Sequence, residues 1–309
     1  MSLTDILRAE WETDLPPPAA AMVQALIDHG GGTVSSVLFY GSNLRSGDVE
    51  GVLDFYVLVD DLIRWRDSRP LALATSLLPP TVEYWELPWQ GHTLRAKVAV
   101  MGADQFVHRT RFDRLDTTIW ARFTQPVLLA FARDDAARQQ ALDAVAQAIA
   151  SAARWAALLG PETGTARDYW EALFKATYSA ELRVEKASRG VSLVDHAADR
   201  YTALLAPAWV AARIPFEDRP GDQHRPLLSR AERAQGLAAW GWRRRFGKAL
   251  NIARLVKAAF TFTGGVDYLL WKLHRHSGVR LELTPFQRRH PILSAPGILL
   301  KLRRMGAIR

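Results

Sequence analysis

The stretch from Val37 to Asp61, VLFYGSNLRSGDVEGVLDFYVLVDD, constrains the fold more than any other part of the chain. Its two apolar runs, Val37 to Tyr40 and Val52 to Val59, read as buried strands. Between them, Gly41-Ser42 is a turn whose following helical residues leave backbone N–H groups free, and free N–H groups beside a hydroxyl suit phosphate oxygens. Asp54 lies inside the second run, where a lone carboxylate is costly unless it is paired or holds a metal. The position two residues on, which would share a strand face about 6.6–7 Å away, is Tyr56 rather than a second acid. Asp60 is on the same face but roughly 20 Å along an extended strand. A second carboxylate therefore has to come from elsewhere in the chain. Asp60 and Asp61 read instead as caps of a helix beginning near Leu62. An ordinary turn followed by a strand-edge acid is the plainer alternative for the same residues.

With 309 residues the chain has room for two domains, or for one with a large appendage. Its 49% apolar content and eleven Trp exclude a mainly disordered protein. No apolar leader follows Met1 and no run approaches the ~20 residues of a bilayer span, so a cytoplasmic protein is expected. The absence of Cys excludes disulfides and thiolate metal sites, and the eight His show no metal-ligand spacing. Charge is unevenly placed. From Arg200 to Arg309 there are 21 Lys and Arg against 6 Asp and Glu, a net +15; the first 199 residues hold 19 against 26, a net −7. Such a split predicts a polyanionic partner for the last third, either nucleic acid or an anionic membrane surface.

Taken in order, the pattern predicts a helix over 19–29 stopped by Gly30-Gly31-Gly32, then the two strands already described. Helical turns over 62–78 end at Pro79-Pro80. Strands over 81–87 and 93–101 follow, joined as a hairpin through Pro88 to His92, with Lys97 in the middle of the second. The segment 116–126 carries Arg122. An alanine-rich helix is expected from Val127 to Leu159, with further helices over 169–188 and 195–213 and a loop from Pro215 to Pro226. A helix then starts at Ser229, passes the basic cluster Arg243-Arg244-Arg245, and leads into the basic amphipathic segments 246–262 and 298–305. The expected architecture is α+β: a mixed sheet with flanking helices over 1–127, a helical second domain over 128–245, and a basic amphipathic C-terminal region over 246–309.

Several of these segments together carry a resemblance. They are Tyr40-Gly41-Ser42, the run from Asp54 to Asp61, Trp65, the strand around Lys97, Ala121 to Pro126, Thr177 to Arg183 and Thr261 to Gly265. In this order they resemble the mitochondrial-type, peripheral phosphatidate cytidylyltransferases (CDP-diacylglycerol synthases) of the nucleotidyltransferase superfamily. The chain departs from that pattern at Ala121, Gln125, Ala180 and Glu181. The resemblance implies a nucleotidyltransferase-type sheet and a Mg²⁺-dependent reaction of CTP with phosphatidic acid, giving CDP-diacylglycerol and pyrophosphate. In that reading Tyr40, Gly41, Ser42, Arg122 and Arg183 bind the nucleotide, and Asp54 and Glu181 hold the metal. Asp54, Lys97 and Glu181 form the catalytic set. The basic third then docks peripherally on the inner face of the membrane, and nucleic acid is not the favoured partner. The alternatives are transfer to another acceptor, such as RNA or a phosphorylated metabolite, and an inactive nucleotide-binding relative.

Overall fold

The computed structural model describes residues 1–46, 51–180 and 193–261, together with six isolated positions between 265 and 287. Five strands form its main sheet: β1 (Val34–Tyr40), β2 (Val52–Val59), β3 (Thr81–Trp89), β4 (His92–Gly102) and β5 (Val127–Ala132). Their spatial order is β3-β4-β2-β1-β5. β2 and β4 run parallel, and every other neighbouring pair is antiparallel. The chain is thus α+β with a mixed sheet.

Both sheet faces are covered, which is why β1 and β2 are apolar at odd and even positions alike. On one face Val37, Phe39, Phe55, Val57 and Val98 meet α2 (Pro17–Gly30) and Trp65 of α4 (Leu62–Arg66). On the other, Leu38, Tyr56, Ala99 and Met101 meet α8 (Asp135–Leu159), the axis of the helical half. The small side chains of Ala141, Ala148, Ala152 and Ala156 on α8 let its neighbours approach closely. The space between is filled by Trp155, Trp170 and Trp209. Two of these indoles are pinned by hydrogen bonds: Trp170 Nε1 donates to the Tyr201 carbonyl and Trp209 Nε1 to the Ala153 carbonyl, both at 2.9 Å. The sheet's inner face and the helices share one continuous apolar core.

The other helices are α1 (Leu3–Trp11), α3 (Ser42–Ser46), α5 (Arg69–Leu77), α6 (Ala103–Arg109), α7 (Thr118–Phe123), α9 (Ala166–Ala180), α10 (Ala198–Ala211) and α11 (Arg230–Thr261). Three sequence expectations change. The alanine-rich helix does not begin at Val127: Val127–Ala132 is the edge strand β5, paired with β1. The helix begins only after Asp134, whose carboxylate caps it by accepting from the Ala137 N–H at 2.7 Å. Val-Leu-Leu-Ala-Phe-Ala is apolar throughout, so periodicity could not separate strand from buried helix. The segment from Pro215 to Pro226 is not a plain loop. It forms the hairpin β7 (Phe216–Arg219) and β8 (Gln223–Pro226), joined to β6 (Gly164–Thr165) and turned at Gly221-Asp222, both at positive φ. Finally, Arg230 to Thr261 is one helix of 32 residues rather than a helix, a basic cluster and a separate amphipathic segment.

Candidate active site

Strand register assembles the site. Tyr40 pairs with Asp54, Asp54 with Lys97, and Lys97 with Tyr84. Directly opposed residues project from the same face, so these four side chains form one polar row across four strands. It lies on the face that carries Leu38, Tyr56 and Ala99, toward the helical half.

Gly41 closes the row from above. Its φ is +95°, in the region that favours glycine, and a Cβ placed there would stand 2.5 Å from Asp54 Oδ2. The glycine is therefore needed twice, for the turn and for room beside the carboxylate. Arg122, from α7, reaches the same point: its Nη1 donates to the Tyr40 hydroxyl at 3.1 Å and its guanidinium lies over the Tyr40 ring at 5.3 Å. Burial raises the Asp54 carboxyl above its ordinary value, and the nearby charges of Lys97 and Arg122 oppose that rise. Burial likewise raises the Tyr40 hydroxyl, so it stays protonated. One carboxylate thus faces two cations, a balance that favours an incoming anion. Ser42 begins α3 beside Gly41, with its Oγ 3.3 Å from Asn43 Oδ1.

Sequence reasoning missed the β3 end of this row. Tyr84 is buried beside Lys97, and its hydroxyl donates to Glu86 at 2.8 Å. Glu86 in turn pairs with Arg95 Nε at 3.3 Å. The signal was present: a two-residue turn at Gln90-Gly91 sets Trp89 opposite His92, and counting back from there puts Tyr84 opposite Lys97. Giving five residues to the hairpin's connection, rather than two, hid that register.

Glu181 and Arg183 lie outside the described residues. Tyr56, where a second acid was sought, is a core residue packed edge-on to Phe123 with ring centroids 4.9 Å apart. Asp61 caps α4, accepting from the Ile63 and Arg64 N–H groups, and Asp60 pairs with Arg133. A cleft of about 530 Å³ at that far end of β2 holds Asp60, Asp61 and Asp104. These acids already have partners within the chain, Asp104 accepting from Gln140 at 3.1 Å.

Among the described residues no three His, Asp or Glu gather as a metal set. Asp54 alone fits a Mg²⁺ held mainly by substrate oxygens, since that ion is usually bound through one or two carboxylates plus phosphates. Set against models of known protein families and against curated proteins, the chain matches none of them.

Proposed function

We propose that the chain is a nucleotidyltransferase that transfers CMP from CTP to phosphatidic acid at an anionic membrane surface. The observation that carries this reading is the row Tyr40–Asp54–Lys97, with Gly41 folded over Asp54 and Arg122 beside it. A phosphate oxygen of the lipid attacks the α-phosphorus of CTP, the bond from that phosphorus to the β-phosphate bridging oxygen breaks, and pyrophosphate leaves. Such a reaction asks for positioning and charge neutralisation rather than covalent catalysis. Backbone N–H groups after Gly41 and the Ser42 hydroxyl hold phosphate oxygens. Lys97 and Arg122 offset the charge that develops on the leaving pyrophosphate. Tyr40, whose hydroxyl stays protonated and accepts from Arg122, orients that guanidinium. Asp54 would hold a Mg²⁺ ion, which would supply charge neutralisation there. Glu181 and Arg183, which the resemblance adds to the set, lie outside the described residues.

The acceptor is proposed from a second feature. α11 turns apolar side chains to solvent: Trp242, Phe246, Ile252, Val256 and Phe260 are 40–75% exposed. Arg244, Arg245 and Lys248 are exposed on the same helix. An apolar stripe flanked by cations fits the headgroup region of an anionic bilayer. No described helix is long and apolar enough to cross a membrane.

The test is pyrophosphate release from each of the four nucleoside triphosphates, with phosphatidic acid in mixed micelles. CTP-dependent release that requires the lipid supports the reading. Release with RNA or a sugar phosphate in place of lipid moves the acceptor, and nucleotide binding without release makes the chain an inactive relative.

A further inference from the structure

Away from the Asp54 row, α11 and α8 line a pocket of about 420 Å³ whose charged lining is three arginines, Arg154, Arg213 and Arg243, and two acids, Asp113 and Glu232. Its floor is a stack. Phe112 lies flat on Trp155 with ring centroids 4.6 Å apart, Arg154 caps Phe112 at 4.4 Å, and Arg243 caps Trp155 at 4.3 Å. Arg213 completes the lining from the end of α10, at a φ of +56° that a bulky side chain rarely adopts.

Two observations show that this lining lacks something. Arg243 is only 6% exposed, and no carboxylate of the described residues lies within ion-pair distance; it donates solely to the carbonyls of Phe112, Arg114 and Ala239. A buried charge without a counter-charge is costly. Desolvation accordingly lowers the guanidinium to about 10. Trp155, 1% exposed, leaves its indole N–H without an acceptor. The two acids of the lining answer this need only in part: the Asp113 charge is felt at Arg243, and that of Arg154 at Glu232, but both carboxylates have other partners. Glu232 closes the N-terminal cap of α11 with the Ser229 N–H and hydroxyl at 2.8 and 2.7 Å. Asp113 pairs with Arg111 and Arg114 at 3.4 and 3.2 Å.

We propose that this pocket is a second anion site, built for a small phosphate-type oxyanion and separate from the Asp54 row. Three guanidinium groups and an indole N–H are donors with no acceptor capacity, and guanidinium forks match phosphate geometry. The cavity is far larger than a chloride ion. An anion seated there neutralises Arg243 in the middle of α11 and ties that helix to α8. It thereby holds the helix whose later residues, Arg254 and Lys257, clamp the entry to β3. The inference does not depend on the proposed transferase activity.

The experiment is titration calorimetry and thermal melting of the full chain with inorganic phosphate, against chloride at equal ionic strength. Three proteins are compared: the wild type, Lys97→Ala, and the double variant Arg154→Gln/Arg213→Gly. Both arginines of the double variant are exposed and Gly suits the positive φ at 213, so this protein is expected to fold, which its unliganded melt checks. Phosphate is expected to bind and raise the melting temperature in the wild type and in Lys97→Ala. In the double variant its affinity should fall at least about tenfold, as the loss of charged hydrogen bonds implies. Phosphate binding that the double variant keeps, that Lys97→Ala abolishes, or that chloride reproduces overturns the proposal.

Discussion

Asp54 joins two demands that pull against each other. Burial raises its carboxyl, so the ionised form that would hold a metal is disfavoured in the folded chain. The sign follows from linkage: a carboxyl raised on folding binds protons more tightly in the native state. Its ionisation therefore costs stability as pH climbs above the unfolded value near 3.9, and costs nothing below it. Asp54→Asn is expected to melt no lower than the wild type at pH 7, with any advantage shrinking as pH falls toward 4. The same variant should lose about 10²–10³-fold in pyrophosphate release, the scale of one electrostatic group removed from a reacting centre. Retained turnover would take Asp54 out of the metal site, and a large fall in melting temperature would make it structural. Gly41→Ala is expected to damage both properties. The added methyl meets Asp54 Oδ2 at 2.5 Å, and a left-handed backbone costs a non-glycine residue about 1–2 kcal/mol. Thermal melting and pyrophosphate release, measured side by side, check this.

At the scale of elements, α11 is held by cations that point inward. Arg254 donates to Asp116, to Thr118 Oγ1 and to the Pro79 carbonyl; Lys257 reaches the carbonyls of Leu78 and Pro80 and the Thr81 hydroxyl. Burial alone would raise Asp116, but its hydrogen bonds and charge pairing with Arg254 outweigh that and hold it below the ordinary value. Here the pH dependence runs the other way. The stabilisation is fully present above about pH 4, the unfolded value, and is lost as pH falls through the lower folded one. Asp116→Asn should cost about 3 kcal/mol in a urea melt at pH 7, because it leaves Arg254 buried without its counter-charge. The gap from the wild type should close in acid, and a gap that persists there would make the loss one of shape rather than charge. This helix also shows where the sequence could be read and where it could not. Val52–Val59 was legible because its ends are marked and its composition is that of a strand. Gly41 and Asp54 were legible because a turn glycine and a buried acid are both locally unusual. The partner strand β5 was not, since six apolar residues carry no period. Nor was the inward direction of Arg254 and Lys257: on a helix written with cations on one side and apolar residues on the other, the sequence does not say which side meets the protein.

For the molecule as a whole, this orientation changes what the net charge of +15 from Arg200 onward means. Arg200 binds Glu10 and the Thr124 carbonyl, Arg233 the carbonyls of Gly160 and Pro161, and Arg243, Arg254 and Lys257 are likewise turned to internal acceptors. These cations fasten helices to the body of the protein through internal acceptors. On α11 Arg230, Arg244, Arg245 and Lys248 are exposed, the last three beside the apolar stripe from Trp242 to Phe260. Where α11 meets a bilayer, its stripe would contribute apolar contact and its exposed cations an electrostatic part of about 1 kcal/mol for each basic residue near the surface. Two sets of variants separate the parts. Val256→Glu/Phe260→Glu changes side chains that are 56% and 75% exposed, so the melting temperature should hold while sedimentation with anionic vesicles is lost. Arg244→Gln/Arg245→Gln/Lys248→Gln should weaken sedimentation by about 10²-fold and flatten its salt dependence, because the Debye length shrinks from ~10 Å at 0.1 M to ~3 Å at 1 M salt. Unchanged sedimentation in the apolar pair would move membrane contact away from α11. A fall in its melting temperature would instead show that this face is covered by other parts of the chain in solution.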